Sequence, residues 1–504
     1  MKSVLEFLEN SASNYPDKTA VIDEKTSVTY TQLIVQSKKA GTMVAHRGFK
    51  RKPIAVIMEK SINACVAFFG IVYSGNYYVM LNPELPEARL KQICTVLDAP
   101  LAITDEEHLA LANSLFASEN ILTISQLTKT AIDESLLEKM QSSMTDTDPL
   151  YINFTSGSTG VPKGVVISHR GVIDFITQFT EIFDIQPNDI IGNQAPFDFD
   201  VSVKDIYSSL KVGATLVIIP RRLFSNPAGL LDFMIDHHIT VMIWAVSALC
   251  LISAFHGLDY KVPTDVRKIL FSGEVMPLKH LKSWMNHLPE AMFVNLYGPT
   301  EITCNCTYHI IERNAAYEDG IPIGMAFPNE RVFLLDEENH EITDEMVTGE
   351  ICVGGAGLAL GYYNNPQQTE KHFIQNPLNP YYRELIYRTG DLGKYNSDGN
   401  LCFCGRKDFQ IKHMGHRIEL EEIEKAMGEI AGVERCCCVY SEAKGRIYGF
   451  YIGTIDKKTV HQLLKKTLPV FMIPQALRQV ETLKMNKNGK IDRKALLEGV
   501  RHGK

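Results

Sequence analysis

Residues 153–164 read N-F-T-S-G-S-T-G-V-P-K-G. Nine of these twelve residues are small, hydroxylated, amide-bearing or Lys, and the run lies between apolar stretches at 149–152 (P-L-Y-I) and 165–167 (V-V-I). The pattern predicts strand, polar loop, strand. Gly157 and Gly160 let main-chain N–H groups come close to a ligand. Thr155, Ser156, Ser158 and Thr159 add hydroxyls, and Lys163 adds a mobile positive charge. Oxygen-rich anions suit such a loop, phosphates above all. The plain alternative is a solvated turn, because Gly/Ser/Thr loops are common. The Walker A pattern G-x-x-x-x-G-K-[ST] is not met, since Lys163 follows Pro162 and precedes Gly164.

Around this loop the chain reads as a soluble α/β protein. At 504 residues it is too long for one core, and about 150 residues per domain predicts roughly two to four units. Hydrophobic residues make up 45% and charged residues 22%, an ordinary globular balance. A net charge of −8 without a long Lys/Arg run argues against nucleic acid as a partner. The first ten residues lack the apolar core of a signal peptide, and Val4, Leu5 and Leu8 fall on one helical face. No apolar run reaches 18 residues, so no membrane span is expected, and a cytoplasmic location is. The eleven cysteines form no zinc pattern and read as reduced, mostly buried thiols. Two C-x-C pairs, Cys304/Cys306 and Cys402/Cys404, are expected on strands, each pair sharing a face.

Residues 54–58 (I-A-V-I-M) read as a strand and 62–73 as a helix, an alternation that implies α/β layers. Residues 102–148 are more polar and read as a helix-bearing connector. Strands are predicted at 215–220, 241–244, 268–273 and 292–298, between helical stretches. Ligands of open α/β sheets sit beyond the carboxyl ends of strands, which makes the turns after Phe271 and Tyr297 candidate sites. Residues 330–405 read as a β-rich subdomain, and G-R-K-D at 405–408 marks a break. The expectation is a large domain over 1–407 and a small α+β domain over 408–504.

Four further motifs carry chemistry. In N-L-Y-G-P-T-E (295–301), Tyr297 is able to stack on a base, Gly298 and Pro299 fix a turn, and Thr300 and Glu301 offer oxygens. A carboxylate beside a phosphate loop needs Mg2+ between the two anions; the alternative is a strand-end turn with an exposed Glu. In Y-R-T-G-D (387–391), Asp391 follows a Gly turn, where it either forms an Asx motif or offers two acceptors to a pair of hydroxyls. In N-G-K-I-D-R (488–493), Lys490 follows a Gly-bearing turn and by itself reads as a solvated charge. In A-P-F-D-F-D-V-S-V (195–203), Asp200 either caps a helix, with Ser202 and Asp205 spaced like a capping box, or is buried against a cation.

T-S-G-S-T-G-V-P-K-G resembles the phosphate loop of the adenylate-forming superfamily, the acyl- and aminoacyl-AMP synthetases, and the other motifs resemble that family in turn. The resemblance spans nearly the whole chain and implies the adenylate-forming fold, with a small mobile C-terminal domain. It implies that the 155–160 loop and Lys163 hold phosphates, that Asn295, Leu296, Tyr297, Gly298, Pro299 and Thr300 form the adenine turn, and that Glu301 binds Mg2+. Asp391 would hold the ribose, Arg406 the nucleotide, and Lys490 the reacting carboxylate and α-phosphate. Asp408 falls at the family's hinge, about which the C-terminal domain rotates.

The segment around Asp200 resembles that of amino-acid-activating members, where an Asp clamps the substrate ammonium. The implied pocket is Asp200, Val201, Lys204, Leu270, Ser272, Leu296, Cys304 and Asn305. Several segments resemble the D-alanine–carrier protein ligases, which implies ATP-dependent activation of D-alanine, transfer to the phosphopantetheine thiol of a separate carrier protein, and a role in lipoteichoic acid synthesis. Departures from that branch are Lys204 in place of an apolar residue, Ser272 in place of Cys, and the polar pair Cys304 and Asn305. They leave open a stand-alone peptide-synthetase-type enzyme for another small or polar amino acid such as serine. Lys204 itself either pairs with Asp205 or solvent, or meets a polar substrate side chain. An acyl-CoA synthetase has no use for a buried Asp200, and a silent scaffold has none for Glu301, Asp391 and Lys490.

Overall fold

A computed structural model describes residues 1–157, 160–318, 320–485 and 491–501. The chain divides into two compact units. The first comprises Met1–Asn82, Asp98–Asn153 and Val165–Lys407; the second comprises Pro83–Leu97, Phe154–Gly164 and Asp408–Lys504.

A nine-stranded sheet organises the site-bearing part of the first unit. Its strand order is Met325–Ala326, Thr307–Ile310, Met292–Tyr297, Lys268–Ser272, Val241–Ala245, Ile190–Asn193, Thr215–Ile218, Thr19–Ile22 and Ser27–Thr29. Its central strands are parallel and buried on both faces, so they read as continuous apolar runs rather than alternating ones. Helix Val201–Val212 packs beside it and ends at Gly213, whose φ of 79° is a left-handed cap. A side chain there would meet the Tyr15 ring at 2.4 Å, so glycine is required twice over.

A seven-stranded sheet contains Pro149–Thr155 and Lys163–Ser168, the strands expected on either side of the polar loop. The reading of 102–148 as a connector is too coarse. Leu101–Thr104 and Ile121–Thr123 are strands of this same sheet, too short for their periodicity to stand out among the helices between them. Helix Ile62–Tyr73 is buried along its length, and Val4, Leu5 and Leu8 form one buried face as expected. The segment 330–405 carries a six-stranded antiparallel sheet built on Gly349–Gly355 and Leu385–Tyr395.

Among the described residues, the second unit holds the hairpin Gln410–His413/His416–Glu419, turning at Met414 and Gly415 with φ of 53° and 80°. It also holds a three-stranded sheet and helices Glu87–Leu97, Leu420–Gly428, Lys457–Thr467 and Arg493–Arg501. Ile418, Ile423, Met427, Cys438 and Tyr451 form its core.

None of the eleven cysteines takes part in a disulfide. The strand expectation fails for Cys304 and Cys306, which lie in the turn before Thr307–Ile310. Cys402 is buried but Cys404 is exposed, because a bulge in the pairing of Leu392 and Gly393 with residues 403–405 skips Cys404 and rotates it off the shared face. Among the described residues, no helix is long and apolar enough to cross a membrane.

Candidate functional site

The parallel strands Lys268–Ser272 and Met292–Tyr297 are direct neighbours, so their carboxyl ends bring Ser272 and Tyr297 to one edge of the sheet. Asp200 stands at the head of helix Val201–Val212. Its backbone is already helical, and its side chain makes no capping bond. Nor does Ser202 form a capping box with Asp205: its hydroxyl donates to the Phe199 carbonyl at 2.8 Å, while Asp205 Oδ2 accepts from Asn193 Nδ2 at 2.7 Å. The capping alternative is therefore not realised. Asp200 is only 7% exposed. Burial pushes its carboxyl above the ordinary value; Thr300, hydrogen-bonded to it, and the Lys204 charge oppose this, and the Glu301 charge adds to it.

Lys204 lies one turn further along the helix and is fully buried. Its ammonium donates to Asn305 Oδ1 at 2.6 Å and to Ser272 Oγ at 3.4 Å. The expectation of a partner in solvent is thus corrected, and the direct partners are neutral groups rather than Asp205. Burial lowers the Lys204 pKa, and Cys304, Asp200 and Asp205 act against that shift. Leu270, Leu296 and Cys304 belong to one buried apolar cluster, and Val201 is buried as well. The Cys304 thiol donates to the Asp200 carbonyl at 3.1 Å.

The turn that delivers Asn305 is strained. Thr303 and Cys304 have φ of 50° and 76°, a conformation that costs a non-glycine residue of order 1–3 kcal/mol. Two contacts hold it. Thr303 Oγ1 donates to the Gly357 carbonyl at 2.6 Å, and Gly298 lies so close that a Cβ would meet Asn305 Cα at 2.4 Å. Thr303 was not legible as a site residue, since a threonine after a Glu turn carries no signal of its own.

Three of the expected nucleotide residues meet. The Tyr297 hydroxyl donates to Asp391 Oδ2 at 2.6 Å, and Arg406 Nη1 donates to Asp391 Oδ1. Antiparallel pairing puts Asp391 opposite Arg406. Asn295 Nδ2 donates to the Pro322 carbonyl at 2.8 Å. Glu301 has no exposed surface, which overturns the alternative of an exposed turn residue, and its Oε1 accepts from the Tyr362 hydroxyl at 2.7 Å. Among the described residues no three His, Cys, Asp or Glu side chains converge on a metal position. Mg2+ needs only one or two protein carboxylates beside phosphate oxygens and water. Glu301 is a buried carboxylate whose charge raises the cost of ionising Asp200, so a cation beside Glu301 would relieve both, and the residue fits the ion.

Lys60 and Asn193 were also missed. The Lys60 ammonium donates to Asn193 Oδ1 at 3.0 Å and the Gln194 carbonyl at 2.9 Å, and burial brings its pKa down to about 7. In sequence, Lys60 looks like any charge before a helix.

In the second unit, Thr155 Oγ1 is buried without a hydrogen-bond partner among the described residues. The Ser156 hydroxyl donates to the Arg417 carbonyl at 2.6 Å, and the Gly157 N–H donates to Glu422 Oε2 at 3.2 Å. Glu422 also takes Arg89 Nη1. An amide of the loop thus already holds a carboxylate, and an orphaned hydroxyl lies two residues before it. Both fit an oxyanion ligand. Gly160 has φ 77°, and Lys163 opens the strand Lys163–Ser168. Asp408 accepts from the Gln410 N–H at 3.2 Å, a local turn bond. Ser158, Thr159 and Lys490 lie outside the described residues.

A family model described as AMP-binding enzyme matches residues 8–363. Zwittermicin A synthase ZmaJ of Bacillus cereus is 32% identical over 508 residues, covering 98% of this chain and 94% of that protein. Bacitracin synthase 1 of Bacillus licheniformis is also 32% identical, over 99% of this chain, but the chain spans only 9% of its length. Among solved structures, holo-PA1221, described as an NRPS protein containing adenylation and PCP domains, superposes with a TM-score of 0.85 at 26% identity, covering 99% of this chain and 84% of that one.

Proposed function

The chain belongs to the AMP-binding enzyme family, and from that premise we propose that it activates an amino acid as aminoacyl-AMP and passes it to a carrier protein thiol. One observation carries the amino acid reading. Asp200 is a buried carboxylate at a helix head that performs no capping, and an α-ammonium offsets the cost of keeping it ionised.

In this reading Asp200 orients the substrate ammonium, which leaves the substrate carboxylate to attack the α-phosphorus of ATP and release pyrophosphate. Lys490 draws the two anions together and stabilises charge in the transition state. Thr155, Ser156, Gly157, Ser158, Thr159, Gly160 and Lys163 cradle phosphate oxygens. Tyr297, Asp391 and Arg406 act as one hydrogen-bonded group towards adenine and ribose, with the Asp391 carboxylate turning from its present donors to the ribose hydroxyls. Glu301 would hold Mg2+, which when bound neutralises phosphate charge. Asp408 is the hinge of this scheme. The acceptor is the phosphopantetheine thiol of a carrier protein, a partner type that the PCP domain of PA1221 supports. Eleven cysteines with no disulfide among them fit a reducing, ATP-containing compartment, the cytoplasm.

D-alanine is the substrate favoured by the family resemblance, in a teichoic acid pathway. A polar amino acid is the second reading, and one observation favours it: the buried hydrogen bonds of Lys204 to Asn305 and Ser272 offer a methyl group nothing. ATP–pyrophosphate exchange tests the proposal. Exchange that depends on an amino acid, and is abolished by Lys490→Ala with ATP binding retained, is expected. Exchange driven only by a fatty or aryl acid would remove the amino acid reading.

A further inference from the structure

We propose that the substrate is an α-amino acid with an anionic side chain, of the aspartate or glutamate type, recognised by Lys204 together with Ser272 and Asn305. This rests on the proposed role of Asp200 as holder of the substrate ammonium.

Charge placement is the reason. Asp200 and Lys204 are four residues apart on the first turns of one helix and are both buried, so each supplies part of the other's counter-charge. The direct hydrogen-bond acceptors of the Lys204 ammonium are a neutral amide oxygen and a neutral hydroxyl. Once Asp200 turns to a substrate ammonium, Lys204 keeps only the counter-charge of Asp205, whose own ionisation burial opposes and whose Oδ2 already accepts from Asn193. A buried charge deprived of its partner is strongly disfavoured. A substrate that brings a second carboxylate restores the balance: its ammonium answers Asp200 and its side chain answers Lys204.

Hydrogen-bond polarity points the same way. Lys204 already occupies the Asn305 carbonyl oxygen and the Ser272 oxygen. With Lys204 on one lone pair of each oxygen, what these three residues leave over is mostly donors: the third ammonium N–H, the Ser272 hydroxyl hydrogen and the Asn305 amide N–H, beside one lone pair on each oxygen. An ionised carboxylate is acceptor-only and matches such a set. An amide or hydroxyl side chain satisfies part of it and leaves the charge unanswered, and a methyl satisfies none. Two features brace the geometry: the left-handed turn at Thr303 and Cys304 that delivers Asn305, and the close approach of Gly298 beneath it.

The experiment is ATP–pyrophosphate exchange on the full chain with both enantiomers of aspartate, glutamate, asparagine, glutamine, serine and alanine. Aspartate or glutamate should exceed its own amide by about 10-fold or more in kcat/KM, since only the charge differs within each pair. A preference for alanine, serine or an amide overturns this inference and leaves amino acid activation standing. No exchange with any amino acid overturns the activation reading and this inference with it. Lys204→Met then tests the residue: the ratio of acid to amide should fall by about 10-fold or more, and an unchanged ratio removes Lys204 from recognition. The wild-type panel decides the substrate class even if that variant does not fold.

Discussion

Two buried lysine–aspartate neighbours in the first unit have opposite characters. Lys268 donates to Asp189 at 3.2 Å, and Asp189 also accepts from Thr240 Oγ1, Arg267 Nη2 and the Gln186 N–H at 2.8, 2.8 and 2.9 Å. Burial opposes the Asp189 charge, but the Gln186 N–H, Thr240 and Lys268 outweigh it and hold the carboxyl below its ordinary value. Asp200 is also buried, yet its donors do not outweigh burial, and its carboxyl is pushed up. Lys204 spends its direct bonds on neutral groups. The first pair is complete within the protein and serves the fold. The second keeps its carboxylate and its ammonium on neutral hydrogen-bond partners, which the proposed role of Asp200 towards a substrate ammonium would explain.

Mutations can break this contrast. Asp189→Ala strands Lys268 in the interior and should destabilise the chain by about 3–5 kcal/mol in denaturant unfolding; a loss below ~1 kcal/mol would mean that the network contributes little. Asp200→Asn should lower amino-acid-dependent pyrophosphate exchange by about 100-fold in kcat/KM, or ~2.7 kcal/mol, with stability changed by less than about 1 kcal/mol. A large stability loss without a kinetic defect would make the two aspartates alike.

Smaller effects sharpen the comparison. Gly298→Ala places a methyl 2.4 Å from Asn305 Cα. It should cost about 1–3 kcal/mol of stability and weaken exchange as the Asn305 turn shifts; a fully active, fully stable variant would show that the turn tolerates displacement. Asp205 adds a pH test. Burial raises its carboxyl to about 7, against Asn193, Lys204 and Lys60, and Oδ1 has no hydrogen-bond partner among the described residues. Between the unfolded pKa near 3.9 and the folded value, the native state binds more protons than the unfolded state. Stability is therefore lost as pH rises across that window, by up to about 1.4 kcal/mol per pH unit. Asp205→Asn should flatten that slope between pH 5 and 7, and parallel slopes for the two proteins would contradict it.

Much of the architecture was legible in the chain. The runs at 215, 241, 268 and 292 became parallel strands because continuous apolar stretches bounded by turns have few other folds open to them. The short strands at 101 and 121 were not legible, because three or four residues leave no period to read. At the site, Tyr297, Asp391 and Arg406 announced themselves by local motif, and the fold joined them by strand pairing. Lys60 and Thr303 had no local signature, since what sets them apart is burial and backbone conformation.

Residue order alone determined the family motifs, the α/β layering, and the presence of a carboxylate at 200 and a cation at 204, because these depend on side-chain type and short-range spacing. Whether Asp200 caps its helix, and whether Lys204 reaches solvent, Asp205 or Asn305, depended on which surfaces pack together. Residues 204, 272 and 305 are far apart in the chain, and their meeting is set by strand order and by a strained turn. The charge balance around Lys204 was therefore a property of the tertiary structure, because the cost of a charge is set by burial, and burial is not a local property of sequence.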